Sequence, residues 1–104
     1  MIKPESVKHL IFDRYVEAEM IYKGRYFRVY PAEGIIYLYV HPNESFVEKG
    51  KYYTVKTFDD ALKFIIPEYN ETLEEVLNNI QLDDFYSCDS EFIKENEWNL
   101  VNKL

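Results

Sequence analysis

Residues 15–40, YVEAEMIYKGRYFRVYPAEGIIYLYV, constrain the fold more than any other stretch. Successive side chains on a β-strand point to opposite faces, so a half-buried strand alternates apolar and polar residues. Here Val16, Ala18, Met20 and Tyr22 alternate with Glu17, Glu19 and Ile21. Phe27 and Val29 alternate with Tyr26, Arg28 and Tyr30, and Ile36, Leu38 and Val40 alternate with Ile35, Tyr37 and Tyr39. β-branched and aromatic residues dominate all three runs. Lys23-Gly24 separates the first two. Pro31-Ala32-Glu33-Gly34 forms a turn, with Pro setting φ and Gly accepting a positive φ. The pattern predicts an antiparallel meander. KYYTVK, residues 51–56, follows Lys49-Gly50 and is expected to add a fourth strand.

The apolar period then becomes helical. Thr57 with Asp60 resembles a capping box ahead of Phe58, Ala61, Leu62 and Ile65, and Pro67 stops that helix. Thr72 with Glu75 is a second box; Leu73, Val76, Leu77 and Ile80 follow at i, i+3, i+4 and i+7, with Glu74, Glu75, Asn78 and Asn79 facing away. A third helix is expected from Glu91, capped by Asp89 or Ser90, with Ile93, Leu100, Val101 and Leu104 in its apolar stripe. Residues 4–13 fit a helix capped at Ser6 or a strand about equally. The predicted class is α+β: a three- to four-stranded antiparallel sheet with two to three helices packed on one face. Residues 1–104 read as one compact domain, a β-meander over about 15–56 and an acidic helical half over about 57–104.

Composition supports a packed core. Apolar residues make up 47% and aromatics 17%, too many for a disordered chain. The single cysteine, Cys88, forbids an intrachain disulfide, so a reducing compartment, the cytoplasm, is expected. No apolar run reaches the roughly 18 residues of a membrane span. MIKPESVKHLIFD carries charges through its apolar part and does not read as a signal peptide.

Charge is uneven. The net charge is −7, but residues 1–30 hold +2, residues 31–58 hold 0 and residues 59–104 hold −9. A field of that sign repels nucleic acid and attracts basic proteins. Within the acidic half, LDDFYSCDSEFIKENEWNL (82–100) mixes carboxylates with aromatics and the only tryptophan. On a helix, Glu91, Glu95 and Trp98 share a face. Tryptophan is an enriched interface anchor, and carboxylates around it suit Lys or Arg across an interface. The expected partner-binding residues are therefore Glu74, Glu75, Asp83, Asp84, Asp89, Glu91, Glu95 and Trp98. The competing reading places Trp98 in the core and its carboxylates in solvent.

Motifs for chemistry are missing. The glycines stand at 24, 34 and 50, so no phosphate loop exists. His9 and His41 are far apart, with no Cys or second His at metal spacing. Cys88 is beside Asp89, whose charge disfavours a thiolate. Asp59-Asp60 and Asp83-Asp84 are sequence neighbours that diverge on a helix, and no calcium-loop pattern occurs. No enzyme, catalytic residue, metal or cofactor is expected.

KGRYFRVY (23–30) matches part of an RNA-recognition strand motif: Lys23, Gly24, Phe27 and Tyr30 fit, whereas Arg25, Tyr26 and Arg28 do not. The alternative site is thus an aromatic sheet face of Tyr26, Arg28, Tyr30, Tyr37 and Tyr39 that stacks bases. The leading expectation is a non-enzymatic acidic protein-binding module. It would inhibit or antagonise a basic partner, such as a nucleic-acid-handling enzyme, by occupying its nucleic-acid surface. Antagonists carried by phages and other mobile elements fit this size and charge. Direct nucleic-acid and membrane contacts are not expected. A structural or assembly role, with homodimers forming through strand edges, is the remaining alternative.

Overall fold

The computed structural model describes residues 1–42, 49–86 and 90–101, the last five as helix backbone alone. The order is α1 (Pro4–Phe12), β1 (Ala18–Tyr22), β2 (Arg25–Ala32), β3 (Ile35–Val40), β4 (Lys51–Val55), α2 (Phe58–Lys63), β5 (Ile65–Ile66), β6 (Glu71–Thr72), α3 (Leu73–Asn79), a 3-10 turn at Leu82–Asp84, and α4 (Ser90–Val101). The first four strands form an antiparallel meander in sequence order, and β5 pairs with β6. This is the expected α+β arrangement.

Both hairpins of the first three strands turn in two residues. Lys23 and Gly24 have φ of 50° and 75°, and Glu33 and Gly34 have 54° and 78°. Two consecutive positive φ values give the turn whose twist matches paired strands. The second turn is narrower than the four residues expected, because Pro31 and Ala32 pair with Ile36 and Ile35. Proline is tolerated there because β1 pairs with β2 only as far as Val29.

One face of the sheet holds the core. Ala18, Met20, Phe27, Val29, Ile36, Leu38 and Val40 are buried against Val7, Leu10 and Ile11 of α1, Phe58 and Ala61 of α2, Leu73, Val76 and Leu77 of α3, and Phe92 of α4. Full burial of each large side chain contributes about 1.5–3 kcal/mol. The chain's start is fastened to the C-terminal end of α3. The Met1 ammonium donates to the Ile80 carbonyl (3.0 Å) and the Ile2 amide to that of Leu77 (2.7 Å). These bonds use carbonyls that a helix end leaves without partners.

Three local expectations are corrected here. Residues 4–13 are helical, but Lys3 stands at the N-cap and Pro4 opens the helix, while Ser6 is buried inside its first turn. Pro4 is pre-set for that position because its fixed φ is helical and its missing N–H is not needed. Helix α2 ends at Lys63, and Ile65 is an exposed strand residue paired with Thr72. Pro67 disfavours helix just before it, and the extended Phe64 places its ring 5.3 Å from Tyr53. Thr57 accepts from the Asp60 amide, but among the described residues the Asp60 carboxylate accepts no bond from the Thr57 amide, so the box is incomplete. The box at Thr72 and Glu75 is complete.

In α4 the buried positions are Phe92 and Asn96, whereas Ile93 is half-buried. Phe92 stacks on Phe85 at 4.7 Å. Asn96 accepts from the Lys3 amide and donates to the Phe92 carbonyl, both at 2.9 Å, so its burial leaves neither end wanting. The side chains of Leu100 and Val101, and residues Asp89 and Leu104, lie outside the described residues. Among the described residues no helix is long and apolar enough to cross a membrane.

Candidate functional site

The second face of the four-stranded sheet carries none of the core residues. Strand register arranges its side chains in rows. One row crosses all four strands: Glu19, Arg28, Tyr39 and Tyr52. A second contains Tyr30, Tyr37 and Thr54. A third contains Ile21 and Tyr26, and the His41 amide extends it by donating to the Tyr26 carbonyl at 2.8 Å. Directly opposed side chains lie close enough to pack, so register alone turns separate tyrosines into a surface.

Tyr30 and Tyr37 stack with centroids 5.3 Å apart and planes within 9°. Tyr52 packs on Tyr39 at 4.5 Å and edge-on to Tyr37 at 6.3 Å. The buried ring of His41 lies edge-on to Tyr39 at 4.9 Å and to Tyr26 at 5.6 Å. The Tyr39 hydroxyl accepts from the Gly50 amide at 3.0 Å, which ties the ring to the approach of β4. These contacts pack the rings against one another across three strands.

Arg28 sits at the centre. Its guanidinium carbon is 5.1 Å from the Tyr30 centroid and 4.8 Å from that of Tyr39, and Nη1 donates to Glu17 at 3.3 Å. Its buried Nε makes no hydrogen bond among the described residues. Ring faces and one carboxylate therefore hold this cation. Burial opposes its charge, but Glu17 and the neighbouring Tyr52 hydroxyl outweigh that, and the proton is held more firmly than usual. Burial, followed by the Glu19 carboxylate, pushes the Tyr26 hydroxyl well above the ordinary tyrosine range. Burial likewise raises Tyr30. Tyr26 and Tyr30 thus hold their protons more firmly than free tyrosine, and Glu17 and Glu19 rim the platform. Arg28 is the one cation at the outward strand positions among the described residues.

All five residues of the alternative aromatic site, Tyr26, Arg28, Tyr30, Tyr37 and Tyr39, lie together on this face. Tyr52 and His41 were missed. Alternation within KYYTVK marked a strand, but placing Tyr52 beside Tyr39 requires the register across the β3–β4 connection.

The carboxylates expected to bind a partner are scattered by comparison. Glu74 and Glu75 are in the first turn of α3, where Glu75 is occupied in the capping box with Thr72. Asp83 and Asp84 are exposed on the 3-10 turn. Glu91 and Glu95 do share a face of α4, but that face meets Arg14, at 2.9 and 3.5 Å. Asp89, Cys88 and the side chain of Trp98 lie outside the described residues.

Beyond the platform, Tyr15 combines a left-handed φ of 56° with a ring that is 88% exposed. That conformation costs a non-glycine residue of order 1 kcal/mol, and no burial of the ring offsets it. It borders a shallow depression of about 200 Å³ with Ile11, Val16, Glu17, Tyr30 and Pro31. His9 is engaged locally, 2.6 Å from Asp13. Among the described residues no group of three or more His, Cys, Asp or Glu side chains could hold a metal ion. No protein-family model, curated protein or solved structure matches this chain.

Proposed function

We propose that this chain is a non-enzymatic acidic module that binds a basic protein surface through the tyrosine face of its sheet. The observation that carries the reading is the arrangement of that face. Five tyrosines, Tyr26, Tyr30, Tyr37, Tyr39 and Tyr52, surround one arginine outside the core, with Glu17 and Glu19 at the rim. Tyrosine and arginine are enriched at the centres of interfaces, and pre-set rings lose little freedom on binding. The net charge of −7 draws such a partner in, helped by exposed Asp59, Asp60, Glu74, Asp83 and Asp84 on the helical side. Occupation of a nucleic-acid channel would make the module an inhibitor, because the phosphate sites of such a channel are cationic.

The second reading is a base-stacking platform for single-stranded nucleic acid, favoured by the same rings and by Arg28. The carboxylate rim opposes it, since each phosphate would approach Glu17 and Glu19.

Affinity capture from lysate at low and high salt, with Tyr37→Ala and Tyr52→Ala variants in parallel, tests the first reading. A protein partner retained at low salt, and lost with both variants, is expected. A gel shift with single-stranded RNA and DNA separates the readings. Nucleic-acid binding that weakens with salt and with Tyr37→Ala would replace the first by the second.

A further inference from the structure

We propose that the depression beside Tyr15, Glu17 and Tyr30 receives an arginine side chain of the partner; this rests on the basic-partner reading above. The depression holds about 200 Å³ at the corner where α1, the 13–17 connection and the outer sheet face meet. Its apolar walls, Ile11, Val16 and Pro31, suit the methylene stem of a long side chain. Tyr15 presents an open ring and carries a backbone conformation that tyrosine rarely adopts.

Glu17 supplies the charge. Its Oε2 receives Arg28, while Oε1 makes no hydrogen bond among the described residues. The same structure already displays the required chemistry one row away, where the Arg28 guanidinium rests on Tyr30 and Tyr39 and pairs with Glu17. A second guanidinium would stack on Tyr15 and reach the remaining oxygen of that carboxylate. Arg28 itself is the nearby like charge that the incoming group must tolerate, and two planar guanidinium groups sharing one carboxylate meet that condition better than a compact ammonium. Arginine is therefore preferred to lysine: it is planar, weakly hydrated and stacks on rings.

The test titrates the isotopically labelled full chain with a decapeptide of alternating Gly and Arg, and with its Gly-Lys counterpart, at low salt. Amide and ring signals of Tyr15, Val16 and Glu17 should move with the arginine peptide, which should bind roughly tenfold more tightly than the lysine peptide. Tyr15→Gly suits the left-handed backbone and so retains the fold, which circular dichroism verifies; it should weaken the arginine peptide by about tenfold. Glu17→Gln should abolish the preference for arginine. Equal binding of the two peptides, or unchanged affinity in Tyr15→Gly, overturns the proposal. If the signals that move belong instead to Asp59, Glu74 or Asp83, the depression is excluded while the acidic-module reading survives. If neither peptide binds, both fail.

Discussion

The guanidinium carbon of Arg28 lies 4.8 Å from the centre of the Tyr39 ring on the next strand. Glu17, which pairs with Arg28, offsets the charge of the one outward strand cation among the described residues and leaves the face presenting tyrosine and carboxylate. The pair of Arg28 and Glu17 is partly exposed, so solvent screens it. A double-mutant cycle of Arg28→Gln and Glu17→Gln should give a coupling below about 1 kcal/mol that shrinks in high salt. Arg28→Lys should still lose about 0.5–1 kcal/mol, since an ammonium cannot replace a plane lying on two rings. Urea unfolding of the two single variants, the double variant and Arg28→Lys measures both quantities. A coupling that is large and independent of salt would contradict this account.

Tyr22 donates to Glu71 at 2.7 Å, joining β1 to β6, and Lys23 also pairs with Glu71. Burial raises the Glu71 pKa, but hydrogen bonds from Lys23 and Tyr22 outweigh it and hold the carboxyl below its usual range. A lowered carboxylate contributes stability above its unfolded pKa, and that contribution disappears as pH falls through the folded value. Tyr22→Phe should therefore cost about 1 kcal/mol at neutral pH and less in acid. Urea midpoints at both pH values check the sign.

The opposite limit is set by tyrosines. Burial, then Glu68, pushes Tyr53 up to about 12. An unfolded tyrosine ionises near 10. The folded state keeps its proton longer, so stability is intact below about pH 10 and lost as pH rises toward about 12. Tyrosinate absorbance should lag behind that of the unfolded chain, then rise with cooperative unfolding. Tyr53→Phe should lessen the alkaline loss.

Phe92 is fully buried and stacked on Phe85, where it attaches α4 to the body of the protein. Phe92→Ala should cost about 3–5 kcal/mol through lost burial and the cavity left behind. Hydrogen exchange should accelerate first in α4 and around Phe85. A loss below about 1 kcal/mol would show that the cavity collapses.

Gly50 is required for space. A methyl group there would stand 2.6 Å from the Val40 carbonyl oxygen and 2.7 Å from the Tyr39 ring. Backbone cannot yield as a side-chain tip can, so Gly50→Ala should destabilise by about 1–3 kcal/mol and shift the Tyr39 ring. Ring signals of Tyr39 and Tyr52 report the displacement; unmoved signals would mean that the connection, not the platform, adjusts.

Alternation in 15–40 and 51–56 and helical spacing after Thr72 were enough to set the meander, β4 and α3, because period and cap are properties of neighbouring residues. The tyrosine face was legible for the same reason, as odd and even positions of one strand cannot exchange faces without a slip in register. Where α2 yields to β5, and where α4 buries Phe92 instead of Ile93, the choice depended on Tyr53, Phe85 and Lys3, none of them local. The fate of the carboxylates was decided in the same way. Glu91 meets Arg14 across 77 residues, and Glu17 meets Arg28 across a hairpin. By itself, the sequence determined which faces exist and the sign of their charge. Only the tertiary structure decided which charges are neutralised within the chain, because an ion pair depends on a distance of a few ångströms between groups whose separation no local pattern encodes.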